Sequence, residues 1–164
     1  MAKRDMSGAV TLSVLDRLID KDPKHNSEAP LTRAQSLREL KAALKRDLEW
    51  LLNTRRTIDP EADSGRETAR SVYNYGFADI SSKSVLSNRD HGDLMREMEN
   101  AIAVFEPRLK RAKVRMEVVK GSYQSLRFVI EGLLSMDPAP EPVRFDTTLE
   151  LGKGSIEVKG DDVA

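Results

Sequence analysis

Between Asn88 and Val119 the apolar residues change from the period of a helix to that of a strand. Up to Phe105, Leu94, Met95, Met98, Ala101, Ile102 and Phe105 recur at the i, i+3, i+4, i+7 spacing of one helix face. Beyond it, Ala112, Val114, Met116 and Val118 alternate with Lys113, Arg115, Glu117 and Val119, the period of a strand with one buried face. The switch falls on Glu106-Pro107-Arg108. Proline has no N–H to offer a helix and pushes the residue before it out of the α region. A helix running directly into a strand is therefore expected here.

Upstream the pattern is helical. Thr32 and Gln35 stand at capping-box spacing, and Leu37, Leu40, Leu44, Leu48 and Leu51 form a stripe, predicting a helix from Thr32 to about Asn53. The stripe lasts about two to three heptads where a coiled coil needs three or four, and packing on the chain's own sheet is expected. Residues 8–20 carry a short amphipathic pattern, with Leu12, Leu15, Leu18 and Ile19 on one side. Such a segment is not a stable helix alone in water and needs something to dock on. The polar, proline-containing stretch from Lys21 to Leu31 reads as a connector. In Ser71–Ser82, Tyr73, Tyr75, Phe77 and Ile80 suggest an irregular segment inserting rings into the core. Gly76 would supply a backbone conformation that larger residues avoid. Ser87 or Asn88 caps the helix that follows.

Downstream the pattern is that of strands. Leu126, Phe128 and Ile130 alternate with Arg127, Val129 and Glu131, and Val143, Phe145, Thr147, Leu149 and Leu151 with Arg144, Asp146, Thr148 and Glu150. Gly152-Lys153-Gly154 turns into a last strand at Ser155–Val158. The expected fold class is α+β, with helices packed on one face of a small, mainly antiparallel β-meander. The expected organisation is an N-terminal extension over 1–31, one domain over 32–160 and a tail over 161–164.

Composition narrows the function. Lysine plus arginine equals aspartate plus glutamate at 27 each, so no net field draws the chain to nucleic acid or an anionic membrane. Nor does net charge hold copies apart, which suits a protein working inside an assembly. Cysteine is absent, which rules out disulfides and thiolate metal sites. No leader-like or membrane-spanning apolar run occurs, so a cytoplasmic protein is expected.

Catalytic constellations are weak. Asp47/Glu49, Asp59/Glu61 and Glu97/Glu99 offer carboxylate pairs, but none has the apolar surroundings that raise a pKa, so all read as solvated surface acids. Asp90-His91-Gly92-Asp93 points its ligands around a helix start, and the second histidine, His25, lies in the connector, so no metal site is expected. No phosphate-cradling loop and no cofactor signature is found. Lys110, Arg111, Lys113 and Arg115 form a basic run without interleaved aromatics. It reads as a solvated strand face, an edge kept from pairing, or a patch for an acidic partner. Glu106-Pro107-Arg108 is either a structural turn or a stiff mount for two charges that contact a partner.

Five segments together resemble the TssE family, baseplate subunits of bacterial type VI secretion systems that are similar to a small wedge protein of contractile-tail phages. They are LSVLDRLID from Leu12, LKRDLEWLLNTRR from Leu44, SVYNYGFADISS from Ser71, the Phe105–Leu109 stretch around Glu-Pro-Arg, and FDTTLELGKGSIEV from Phe145. The resemblance covers Leu12 to Val158. It departs at Phe77-Ala78, where relatives commonly read Leu-Pro. It implies a non-enzymatic subunit that assembles with TssF- and TssG-type partners near a TssK-type one. Such a subunit offers the first platform for sheath polymerisation, through strand addition at a sheet edge. It also implies that Glu106, Pro107 and Arg108 lie at baseplate contacts, and we read Leu12, Leu15, Leu18 and Ile19 as a wedge-docking face. A location at the baseplate docked on the inner-membrane complex follows from the same resemblance, with no membrane insertion. If the two charges serve assembly alone, reversing either should leave the melting temperature nearly unchanged. Alternatives are a lysozyme-like peptidoglycan hydrolase, a label some relatives carry, and an anti-adaptor-like stress regulator of similar fold.

Overall fold

A computed structural model describes residues 12–19, 23–24, 32–56, 67–78, 87–117, 125–137, 139–150 and 153–160. The chain divides into two compact units, Met1–Leu44 and Lys45–Ala164, with the division inside a helix.

In the first unit, α1 is a single short turn, Val14–Leu18, capped by Ser13, whose hydroxyl accepts from Asp16 N–H at 3.2 Å. The helix α2, Arg33–Asn53, begins at the expected capping box. Thr32 N–H donates to Gln35 Oε1 at 2.9 Å, and Gln35 N–H donates to Thr32 Oγ1 at 3.3 Å. Leu40, Ala43 and Leu44 are buried, while Leu37 is half-buried.

Among the described residues, the second unit holds the last turns of α2, two short 3-10 turns (Glu67–Arg70 and Val72–Asn74), α3 (Asn88–Phe105) and four strands. The strands are β1 Leu109–Glu117, β2 Ser125–Leu134, β3 Glu141–Glu150 and β4 Ser155–Gly160. Each pairs antiparallel with the next, giving the order β1-β2-β3-β4. The fold class is α+β, as the succession of periods implies. Leu94, Met98 and Ile102 of α3 and Leu48, Leu51 and Leu52 of α2 are buried. So are Val114, Phe128, Ile130, Phe145, Thr147, Leu149, Ile156 and Val158 on one face of the sheet. Register explains that shared face: Val114 stands opposite Ile130, Ile130 opposite Phe145, and Thr147 opposite both Phe128 and Val158. The other face is charged. There Arg127 bonds Asp146 at 2.7 Å and lies 3.7 Å from Glu117. Val129 is buried on that face, with Arg115 and Asp146 opposite it on either side.

Two departures from simple alternation have local causes. The register of β1 slips between Lys110 and Lys113, so Arg111 and Ala112 stand against Gly132 alone, and Arg111 takes φ +54°. Leu109 and Val114 are consequently both buried although their positions differ in parity. Gly132 leaves room there for Leu109, whose Cδ1 would have to move from a Cβ built 2.6 Å away. In the aromatic segment, Phe77 is buried and Tyr75 half-buried, but Tyr73 is exposed, so only part of it enters the core. Gly76 has φ +121°, and a Cβ there would meet Thr54 O at 2.4 Å. That close approach lets Phe77 N–H donate to Thr54 O at 2.7 Å. Ile80, Val118, Val119, Leu151 and His25 lie outside the described residues.

Candidate functional site

The helix-to-strand joint forms where the periods change. Glu106 N–H still donates to Ile102 O at 2.9 Å, closing the last turn of α3, but Glu106 itself has φ −121° and ψ 74°. Leu109 N–H then donates to Glu106 O at 3.1 Å, which makes Glu106–Leu109 a β-turn with Pro107 at its second position. Proline's fixed φ suits that position. Ser135 N–H donates to Arg108 O at 2.7 Å and ties the turn to the end of β2.

Its two charges point inward and hold each other. Arg108 Nε donates to Glu106 Oε1 at 2.6 Å and Nη2 to Glu106 Oε2 at 2.6 Å, a bidentate pair. Nη2 also donates to Asp47 Oδ2 at 2.5 Å, and Arg46 binds the other oxygen of Asp47 at 2.7 Å. The Glu106 side chain is 6% exposed and that of Arg108 24%. The hydrogen bonds that Arg108 donates to Glu106 hold its guanidinium protonated more firmly than usual; burial opposes this and Asp47 reinforces it. Pro107 is the exposed member of the three.

Asp47 is the residue that the sequence reading missed. It reads as a solvated acid, yet it reaches across 61 positions to Arg108 and has a side chain only 22% exposed. Local sequence carries no sign of this, because the pairing depends on where α2 lies against the joint. Beside the cluster is a concavity of about 290 Å³ lined by Asp47, Leu51, Tyr75, Phe105, Glu106, Pro107 and Arg108. Tyr75 and Phe105 meet edge to face, with centroids 5.3 Å apart and planes at 73°. Burial, then Asp47 and Glu106, raise the pKa of the Tyr75 phenol, since each disfavours its anion.

The apolar side chains of the N-terminal segment stand out from the chain. Leu15 is 51% exposed, Leu18 76% and Ile19 47%, while Leu12 is half-buried. No residue of α1 is buried. Among the described residues no three His, Asp or Glu side chains gather to hold a metal ion, and no helix is long and apolar enough to cross a membrane.

Fold and site together define a small α+β protein whose charged motif is closed within the chain beside an aromatic-lined concavity. The chain belongs to the family of the baseplate wedge protein gp25, whose family model matches residues 38–139. It is thus a structural protein of the baseplate wedge type. The matched segment includes Asp47, Tyr75, Phe105 and the whole Glu-Pro-Arg joint. No curated protein gives a match.

Proposed function

We propose that this chain is a wedge subunit of a type VI secretion baseplate. In this reading it assembles with TssF- and TssG-type subunits, near a TssK-type one, and offers a platform on which the tail sheath begins to polymerise. It acts in the cytoplasm, at the baseplate docked on the inner-membrane complex, and catalyses nothing. The observation that carries the reading is the joint at Glu106-Pro107-Arg108, within the segment matched to a baseplate wedge family. The ion cluster holds the joint rigid, and rigidity lowers the entropy lost when a partner docks. Glu106 and Arg108 act by fixing the shape of the surface, while exposed Pro107 and the rim of the concavity meet the partner. Leu12, Leu15, Leu18 and Ile19 form a second contact, an apolar face that a wedge partner covers. A hydrolase reading finds little support in the two carboxylates at the concavity, since both accept from one guanidinium.

Burial of the Glu106–Arg108 pair changes the appropriate test. Charge reversal there is expected to disturb folding as well as contact, contrary to the unchanged melt anticipated if the charges served assembly alone. The informative variant is Pro107→Arg, which places a large charge on the exposed rim and leaves the ion cluster intact. Tagged full-length chain is purified from cells producing the wedge and sheath components. Wild type should carry TssF- and TssG-type subunits with it. Pro107→Arg should lose them while melting within a few degrees of wild type, and so should Leu15→Ser with Leu18→Ser if α1 docks. Recovery of neither subunit with the wild-type chain would refute the proposal.

A further inference from the structure

The helix α3 carries two stripes at helical spacing. Leu94, Met98 and Ile102 form the first and are buried in the core. Glu97, Ala101, Val104 and Phe105 form the second, with an acid at its head. This second stripe lines a cavity of about 360 Å³, bounded on its other side by Arg56, Gly76, Phe77 and Ala78. That other wall is fixed by backbone bonds: Arg56 N–H donates to Phe77 O at 2.9 Å, and Phe77 N–H to Thr54 O at 2.7 Å. Residues with no more than a methyl group, Ala69, Gly76, Ala78 and Ala101, leave the space open.

As a sequence, Glu97 reads as a solvated surface acid beside Glu99. The fold treats the two differently. Glu99 accepts from Val114 N–H at 2.9 Å and lies 3.5 Å from Lys113. Glu97 is half-buried, and its Oε2 is shut away from solvent with no hydrogen-bond partner among the described residues. Arg56, the other ionisable residue of the lining, has an interaction of its own. A carboxylate oxygen removed from water without a donor costs free energy, so a donor brought to it gains more than at an open surface. Rotation about the last torsion of the side chain exchanges the two oxygens, so the one facing the cavity can take that donor.

We propose that this cavity receives the side chain of an arginine from a partner protein. Guanidinium is weakly hydrated, lays its flat faces on apolar and aromatic walls, and pairs edge-on with a carboxylate through two hydrogen bonds. The lining offers both kinds of contact, with Phe105, Ala101 and 42%-exposed Val104 beside Glu97. Asn100, exposed and in the same lining, can accept a further guanidinium N–H through its carboxamide. The volume lies near the lower end of ligand pockets, which run from about 300 to 1,000 Å³, and suits one long side chain.

The test needs only purified full-length chain and does not depend on the wedge reading. Isotope-labelled protein is titrated with the peptide acetyl-Ala-Val-Arg-Val-Ala-amide, and with versions carrying Lys, Gln or Glu in place of Arg. The Arg peptide should shift the amide resonances of Glu97, Asn100, Ala101 and Val104. It should bind more tightly than the Lys peptide and more weakly as sodium chloride is raised, while the Gln and Glu peptides leave those amides unmoved. Glu97→Gln should weaken binding of the Arg peptide by about tenfold, with a melting temperature equal to or above that of wild type. Ala101→Leu should fill the cavity and exclude the peptide with Glu97 still present. The proposal fails if the Arg peptide shifts other amides instead, if the Lys or Gln peptide binds as well, or if no peptide binds. It fails equally if Ala101→Leu or Glu97→Gln binds as wild type does, or if Glu97→Gln melts well below wild type, which would make the carboxylate a structural group.

Discussion

Thr147 carries a hydroxyl into the centre of the sheet's buried face, where it is 0% exposed and Oγ1 has no hydrogen-bond partner among the described residues. An unpaired buried hydroxyl costs free energy that a methyl group of the same shape does not. Thr147→Val should therefore stabilise the protein by about 1 kcal/mol, read as a higher urea midpoint at unchanged slope. An unchanged or lower midpoint would show that the hydroxyl is satisfied. Glu106 presents the opposite situation, a buried charge whose partners are all in place. Glu106→Gln keeps the shape but leaves Arg108 with Asp47 as its only anion among the described residues. The expected loss is about 2 kcal/mol, since removing one member of a buried pair costs more than the pair contributes. A loss below about 0.5 kcal/mol would mean that water screens the pair.

At the scale of elements, the solvent face of the sheet is knit across three strands. Arg127 of β2 bonds Asp146 of β3 and approaches Glu117 of β1, and Arg144 lies 3.4 Å from both carboxylates. For Asp146, burial is the largest single influence and raises the pKa. The hydrogen bonds and charges of Arg127 and Arg144 together outweigh it, and the net shift is below the ordinary 3.8. A carboxyl whose folded pKa is depressed contributes stability that is complete above the unfolded value and lost as pH falls through the folded one. Asp146→Asn should thus lower the melting temperature at neutral pH and narrow the drop seen on going to about pH 3. Because the Asp146 side chain is half-buried and still reaches solvent, salt should shrink both effects. An acid-induced drop as large in Asp146→Asn as in wild type would assign it to other groups. The turn chemistry of the elements is equally specific: β1 needs its slip at Arg111 to bring Leu109 and Val114 to the same side, and Gly132 makes room for it.

For the whole molecule, what was legible from residues alone was whatever neighbours along the chain settle among themselves. The change of period at Glu106-Pro107-Arg108 marked where α3 ends and β1 begins. Thr32 with Gln35 marked a helix start, Ser87 capped α3 through Asp90 N–H, and alternation in three later stretches marked the meander. These signals rest on backbone sterics, side chains reaching a turn away, and the side-chain period of each element, all of which operate within a few residues. Long-range pairing was not legible. Asp47 meets Arg108 across 61 positions and Asn53 meets Ile156 across 103, and nothing near any of the four announces its partner. Glu106 and Arg108 look, as a sequence, like two charges offered to solvent from a rigid turn. Packing of α2 beside the joint turns them inward, because the buried Glu106 carboxylate is tolerable only where it is paired with the Arg108 guanidinium, and Asp47 of α2 takes a further donor of that guanidinium. Local sterics decided where the chain breaks; the company those residues keep once the helices and sheet are packed decided which of the three faces outward, and that residue is Pro107.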